Sequence, residues 1–172
     1  MTIAQTSTTS FKVELLQAVH NFGPTSANTF KIALYTAASS IGPSTTVYTT
    51  TAEVVGTGYV AGGNTLVIST SPTYGANNAN VPTAFVSFAN SSWATASFTA
   101  RGALIYNSTQ GNKSVAVLDF GADKTVANQT FEIVFPTADA TSAIVRISYQ
   151  EPPCPIQQSS KPALAACSTS SV

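Results

Sequence analysis

The sequence predicts an all-β protein, an antiparallel two-sheet sandwich of jelly-roll-like type with one short N-terminal helix. Two observations lead to this fold class. Short runs rich in β-branched and aromatic residues recur along most of the chain, and clusters of Gly, Asn and Pro separate them. A helical spacing of apolar residues occurs near the N-terminus. Because strands rather than helices connect successive strands, the sheets should be mostly antiparallel.

The helical pattern covers residues 11–20, with Ser10 as the predicted N-cap and Gly23-Pro24 beyond its end. His20, the single histidine of the chain, falls at the C-terminal end of this helix. We expect it to be structural, because a catalytic base needs a nucleophile and an orienting carboxylate beside it. The apolar stripe of the helix consists of Phe11, Leu15, Leu16 and Val19.

After the helix, the apolar pattern changes to a period of two, which is typical of strands. Strands are predicted at residues 29–36, 53–55, 65–69, 84–88, 94–99, 102–107, 114–120, 130–135 and 143–149. Alternate positions of these strands should face inward and form the core between the sheets. The predicted core residues are Phe30, Ile32, Leu34, Phe85, Phe88, Leu104, Val115, Val117, Phe131, Val134 and Ile144.

The composition describes a small neutral protein of 172 residues and 17.7 kDa. Seven basic residues balance seven acidic ones, and 8% of residues are charged. Such a balance argues against nucleic-acid binding, and no apolar run is long enough to span a membrane. Near-zero net charge favours association with other protein, and we expect a homotrimer.

The chain divides into an N-terminal arm at 1–10, a β-sandwich domain at 11–149 and a C-terminal extension at 150–172. The arm has no basic start and no apolar stretch, so we do not expect it to be a secretory signal. Both polar ends have few apolar residues. We therefore expect neighbouring chains, rather than their own domain, to order them.

Candidate interface residues come from three places. The segment at residues 70–83 lacks a strand pattern and is long for a loop, which favours a contact role for Tyr74, Asn77 and Asn78. Arg101 is expected to pair with a carboxylate across strands or across a subunit interface. Pro152 and Pro153 begin the C-terminal extension.

No constellation of residues predicts chemistry. Asp119 and Asp123 are interpreted as solvated turn residues, and the glycines around Gly62-Gly63 as turns or close backbone approaches. Cys154 and Cys167 are expected to be free thiols, with a disulfide as the alternative. The sequence therefore predicts no enzyme, no cofactor and no metal.

Several strings of the sequence resemble a family of small virion structural proteins of tailed bacteriophages. The resemblance covers residues 11–147. The strings that carry it are FKVELLQAVHNF at 11–22, TFKIALYT at 29–36, EVVGTGYVAGG at 53–63, ARGALIYN at 100–107, VAVLDFGADK at 115–124 and TFEIVFPTADATSAIVRI at 130–147.

This resemblance implies an all-β, non-enzymatic protein that is made in the host cytoplasm and built into the virion. We expect a decoration or cement protein on the capsid surface, whose partners are its own copies and a major capsid protein or other virion protein. Two alternatives remain open, namely a tail, collar or fibre component and a β-sandwich that binds host glycan. In the glycan-binding alternative, the sugar-stacking residues would be Tyr59, Tyr74, Trp93 and Tyr106.

Overall fold

The computed structural model describes residues 3–25 and 27–148 and confirms the all-β sandwich. One antiparallel sheet has five strands in the order β1-β7-β6-β2-β3, and a smaller one has three in the order β4-β5-β8. The elements are β1 (Thr6–Ser7), α1 (Thr9–Leu16), β2 (Phe30–Tyr35), β3 (Asn64–Leu66), β4 (Ile68–Ala76), β5 (Pro82–Phe88), β6 (Ser91–Asn107), β7 (Lys113–Ile133) and β8 (Val145–Ser148).

The central strand β2 is buried on both faces because apolar residues occupy almost all of its positions. Phe30, Ile32 and Leu34 point into the main core between the two sheets. Ala33 and Tyr35 point to the opposite face of the five-stranded sheet. There a second cluster forms, which also contains Ile3, Ile41, Leu104, Tyr106 and Val117. The loops between β2 and β3 therefore give the larger sheet a second apolar cover.

The helix begins earlier and ends earlier than the sequence predicted. Thr8, not Ser10, is the N-cap, and its hydroxyl accepts a hydrogen bond from the Phe11 N–H. After Gln17 the chain closes in a Schellman motif, in which Ala18 adopts a left-handed φ of 56° and Val19 N donates to Glu14 O at 2.9 Å. This early closure leaves Leu16 of the predicted apolar stripe exposed.

The start of the chain differs from the predicted arm. Residues 6 and 7 pair with Val117 and Ala116 of β7. Ile3 is buried in the second core cluster, and Thr8 N donates to Val115 O. Strand pairing and one buried isoleucine thus hold residues 3–10 against their own chain. The predicted extension at 150–172 lies outside the described residues.

Strands β6 and β7 form one long hairpin where the sequence predicted two shorter strands in each. The register between β6 and β7 shifts at several points, so the alternation of apolar residues along each strand is interrupted. A pattern with a period of two therefore does not show that each strand is continuous. Ala100 pairs with Lys124, but Gly102 pairs with Asp119, so that Arg101 lies opposite the four residues 120–123. This bulge places three extra residues in β7, and Asp119 and Asp123 consequently lie within a strand rather than in a turn.

Three smaller predictions were also wrong. Residues 70–76 belong to β4 and 82–83 to β5, because the two strands pair despite register shifts, and the connecting turn is short. Val134 is 67% exposed, since the alternation along the end of β7 turns it outward between Ile133 and Phe135. In the predicted strand at 53–55, Glu53 forms a single bridge to Tyr35.

Candidate interaction surface and buried polar clusters

His20 occupies a closed polar cluster behind α1. Its side chain is fully buried, and Nε2 lies 2.9 Å from Oε2 of Glu14. On the other side of the ring, Asn107 Nδ2 lies 3.0 Å from Nδ1 and also donates to Asn28 Oδ1. Since the Asn107 amide is the donor, Nδ1 accepts and Nε2–H donates to the carboxylate. Both ring nitrogens are engaged, as the predicted structural role requires.

Glu14 connects this cluster to β7 through Lys113, whose Nζ donates to Oε1. Burial raises the pKa of the Glu14 carboxyl, but the hydrogen bonds and charges of Lys113 and His20 outweigh burial and leave the pKa below its ordinary value. No serine or threonine hydroxyl is hydrogen-bonded to the imidazole among the described residues. The arrangement fastens α1 to the sheet and provides no activated nucleophile.

A second polar cluster surrounds the buried carboxylate of Glu53. Its Oε2 accepts from the Tyr48 hydroxyl at 2.6 Å, and its Oε1 accepts from the Tyr59 hydroxyl at 2.6 Å. The Gly62 N–H adds a third hydrogen bond to Oε1 at 2.7 Å. The Tyr59 hydroxyl also accepts from the backbone N–H of Leu34 in β2. Glu53 thus ties the long connection between β2 and β3 to the central strand.

Two further tyrosines complete this cluster. The Tyr106 hydroxyl donates to Gly62 O, its ring stacks on Tyr48 with centroids 4.7 Å apart, and the Tyr35 hydroxyl donates to Thr49 O. Burial raises the pKa of Tyr35, and burial together with Glu53 raises those of Tyr48 and Tyr59, all well above the usual value near 10. Burial and the Glu53 charge raise the pKa of Tyr106 to about 12. These phenols are neutral donors that stabilise a loop.

The sequence analysis did not anticipate the Glu53 cluster. Its one available signal was the pair Gly62-Gly63, for which a turn, a bulge or a close backbone approach was expected, and Gly63 makes the close approach. Gly63 has φ +65°, and a Cβ there would lie 1.8 Å from the carbonyl oxygen of Ile32. The glycine pair therefore allows the loop backbone to contact β2 beside the Glu53 carboxylate, which accepts a hydrogen bond from Gly62 N–H.

Arg101 forms the cross-strand pair that was one of its two predicted roles. Its Nε donates to Asp119 Oδ1 at 3.2 Å, and the same oxygen accepts from Gly121 N at 3.0 Å. The hydrogen bond from Gly121 N and that from Arg101 with its charge lower the pKa of Asp119. The pair organises the bulge in β7, and both side chains stay partly exposed.

The other predicted interface residues lie around the small sheet. Asn77 accepts from the N–H groups of Ala79 and Val81 within its own turn, while Asn78 exchanges hydrogen bonds with Thr141. Both asparagines therefore shape the turn. Tyr74 is different, because its side chain is 84% exposed and has no hydrogen-bond partner among the residues that the structure describes. Pro152 and Pro153 lie outside the described residues.

Tyr74 belongs to an exposed apolar row, which we call the small-sheet row, formed by Tyr74, Ala84 and Ile147. The three residues are direct cross-strand partners on β4, β5 and β8. All three are exposed, Ile147 to 55%. Arg146 occupies the next position along β8, so its side chain points to the opposite face of the sheet. This row carries no charge, which is typical of a surface that contacts protein.

An apolar cleft opens on another side of the sandwich, and we call it the β7 cleft. Its volume is about 480 Å³. It lies between the inner face of β7 and the segment that leads into β8. Lys124 and Glu132 are its charged lining residues, and its apolar lining consists of Leu118, Phe120, Phe131, Ile133, Val134, Phe135, Pro136 and Ile144.

Within residues 3–25 and 27–148, no group of three or more histidine, cysteine or acidic residues is placed to hold a metal ion. In the same part of the chain, no helix has the length and apolar character needed to cross a lipid bilayer. Comparisons with protein-family models, with curated proteins and with solved structures found no match to this chain.

Proposed function

We propose that this protein is a non-enzymatic structural component of a phage virion that binds and reinforces the capsid shell as a homotrimeric decoration protein. The proposal rests on the resemblance of residues 11–147 to phage virion proteins and on the character of the molecular surface. Its partners are other copies of the chain and a major capsid protein. Repetition of a weak contact over many sites would let so small a protein stabilise a shell.

The observation that carries the proposal is the small-sheet row. Tyr74 and Ile147 stand exposed on either side of Ala84 in the small sheet, in a chain with 8% charged residues. An exposed tyrosine in such a patch is a frequent source of binding energy in protein interfaces. With few charges available, attachment should tolerate moderate salt. The row therefore suits a contact with a protein shell.

The glycan-binding alternative has less support. A sugar-binding platform needs exposed aromatic rings, but Trp93 and Tyr106 are buried, and the Tyr59 hydroxyl is committed to Glu53. Tyr74 is the one exposed ring of the four predicted stacking residues. A tail, collar or fibre role uses the same kind of protein contact as a decoration protein, so it differs in position and symmetry rather than in chemistry.

The test is to measure binding of purified protein to capsid shells that lack it, with wild type compared with a Tyr74→Ser/Ile147→Ser variant. Loss of the row should weaken binding at least about tenfold. Val55→Ser is the matched control, because Val55 is 93% exposed outside the row. Circular dichroism should show that both variants retain the β fold. Equal binding by the row variant and the control would contradict the use of this row.

Electron microscopy of the complete particle distinguishes head from tail. We expect density for the protein on the outer shell, in groups of three. Density that forms a ring on the tail would support the tail alternative and reject the decoration role. Sedimentation of the free protein as a monomer, together with no binding to shells, would reject the proposal as a whole.

A further inference from the structure

The outer edge of β7 is mostly unpaired in the described part of the chain. β7 pairs with β6 along one side, and on its other side β1 covers Val117 and Ala116 alone. From residue 119 to residue 133, this edge of β7 has no strand beside it within residues 3–25 and 27–148. Such an edge is a template for an added strand.

The β7 cleft lies directly beneath this open edge. Phe131 and Ile133 of β7 line it from one sheet, and Ile144, just before β8, lines it from the other. β1 protects the edge of β7 only near Val117 and Ala116, and Gln5, which precedes β1, lines the end of the cleft next to it. A strand added along β7 would thus continue the line of β1 and place alternate side chains into an apolar cleft. Main-chain pairing and a side-chain pocket together form a complete peptide site.

The chain itself supplies a segment of suitable length. β8 ends at Ser148, and 24 residues follow it in the sequence. Among them are Ile156, which precedes Gln157, and Leu164, which lies between two alanines, while charged residues are few. The open edge of β7 from Lys124 to Ile133 is ten residues long, and an added strand has the same rise of roughly 3.3 Å per residue, so about ten of these residues would cover it.

The direction of β8 favours a second copy over the chain's own cleft. β8 runs from Val145 to Ser148, so the chain leaves it pointing away from Ile144. A return to its own cleft would need a reversal just after Ser148. The sequence there is Glu151-Pro152-Pro153-Cys154-Pro155, and closely spaced prolines favour an extended backbone.

We propose that the β7 cleft binds residues 150–172 of a second copy of this chain, with the added segment paired to the open edge of β7. This inference rests on the proposed self-association and deepens it, because it names the contact that joins the copies. Neighbouring subunits would then be linked head to tail around a ring, as a closed trimer allows.

The two native cysteines make the test direct, because Cys154 and Cys167 are the only cysteines in the sequence and both lie in the extension. One chain carries Val134→Cys at the exposed rim of the cleft together with Cys154→Ser and Cys167→Ser. It is co-expressed with an unmodified chain that bears a different tag. After purification and mild oxidation, a disulfide between the two chains can form when the extension of one copy reaches the cleft of the other.

We expect a reducible two-chain product on a denaturing gel. The control replaces Val134→Cys by Val55→Cys in the same background, at another exposed valine, and should give little product. Two results would overturn the inference. One is absence of the product, or equal product from the control. The other is an internal disulfide in a Val134→Cys chain that keeps Cys154 and Cys167, together with no cross-link between the two co-expressed chains.

Sedimentation and shell binding of the same samples separate this inference from the proposed function. A trimer that binds shells without forming the cross-link rejects the cleft as the docking site and leaves the decoration role intact. A protein that neither self-associates nor binds shells rejects both. Val134 is exposed, so its replacement should not disturb folding, and circular dichroism of the variant verifies this.

Discussion

Glu14 and Lys113 lie 99 residues apart in the sequence, and their side chains form an ion pair against the buried ring of His20. The pair joins α1 to the beginning of β7, where the strand leaves the short turn of the long hairpin. Asn107, on the other side of that turn, contacts the opposite nitrogen of the imidazole. The helix, the hairpin and the segment before β2 are therefore held by one set of polar contacts.

Glu14→Gln should destabilise the protein by about 1–3 kcal/mol, because His20 Nε2–H and Lys113 lose a charged acceptor in a buried position. Urea denaturation followed by circular dichroism measures the change. Glu132→Gln is the control at an exposed glutamate and should change the free energy of unfolding by less than about 0.5 kcal/mol. Equal effects of the two substitutions would show that the Glu14 contacts are energetically unimportant.

The lowered pKa values of Glu14 and Asp119 imply that the protein loses stability in acid. The pKa of Glu14 is lower in the folded protein than its ordinary value of 4.5, and that of Asp119 is lower than 3.8. The folded state therefore binds fewer protons than the unfolded state. The stabilising contribution is complete above these ordinary values and disappears as the pH falls through the lower folded-state pKa values. Denaturation midpoints measured below pH 4.5 should fall less steeply in Glu14→Gln than in wild type.

Tyr59→Phe should cost about 1–3 kcal/mol, since Glu53 loses one of its three donors and Leu34 N loses its acceptor. Tyr74→Phe is the matched control, because it removes the same hydroxyl from a side chain that is 84% exposed. The control should change stability by less than about 0.5 kcal/mol. Guanidinium chloride denaturation of both variants measures their free energies of unfolding. An unchanged free energy of unfolding in Tyr59→Phe would contradict the role given to the Glu53 cluster.

The tyrosines of the Glu53 cluster should resist ionisation at high pH. Tyr35, Tyr48 and Tyr59 have raised pKa values, and that of Tyr106 is about 12. Because these pKa values exceed those of the unfolded chain, the associated stability is complete below about pH 10 and is lost as the pH rises through the folded-state values. Absorbance titration near pH 11 should detect fewer phenolates in native protein than in protein unfolded by urea. Identical titration curves would contradict this.

Gly63→Ala should prevent folding or cost more than about 3 kcal/mol, because backbone strain at φ +65° adds to a Cβ placed 1.8 Å from Ile32 O. Gly111→Ala provides the control, with φ +68° and no atom within 4 Å of its added Cβ. The control carries the strain alone and should cost about 1–2 kcal/mol. The difference between the two unfolding free energies measures the close approach itself.

The sequence predicted those parts of the fold that depend on local periodicity. In β2 the alternation of Phe30, Ile32 and Leu34 is regular, and the strand lies where it was expected. In β7 the three extra residues opposite Arg101 change the phase of the alternation within one strand. An analysis that follows the alternation of apolar residues therefore interprets this one strand as two shorter strands. Val134 was predicted to be buried together with Phe131, but a period of two cannot place residues three apart on the same face, and Ile133 is the buried residue.

The candidate surfaces were predictable only in part, because each depends on residues that are distant in the sequence. Tyr74 was identified from its segment, but its partners Ala84 and Ile147 become neighbours through strand register. The contact of His20 with Asn107 bridges 87 residues. Asn77 and Asn78, chosen because the segment at 70–83 is long for a loop and lacks a strand pattern, instead use their side chains to close a turn.

The pairing of β1 with β7 has a consequence for synthesis of the chain. Thr6 must find Val117, which leaves the ribosome more than a hundred residues later. At about 5–20 residues per second, β1 waits for roughly 5–20 s without its partner strand. The β6–β7 hairpin, whose strands meet across a short turn, can form as soon as it emerges. Translation therefore delays the docking of β1 until β7 has left the ribosome.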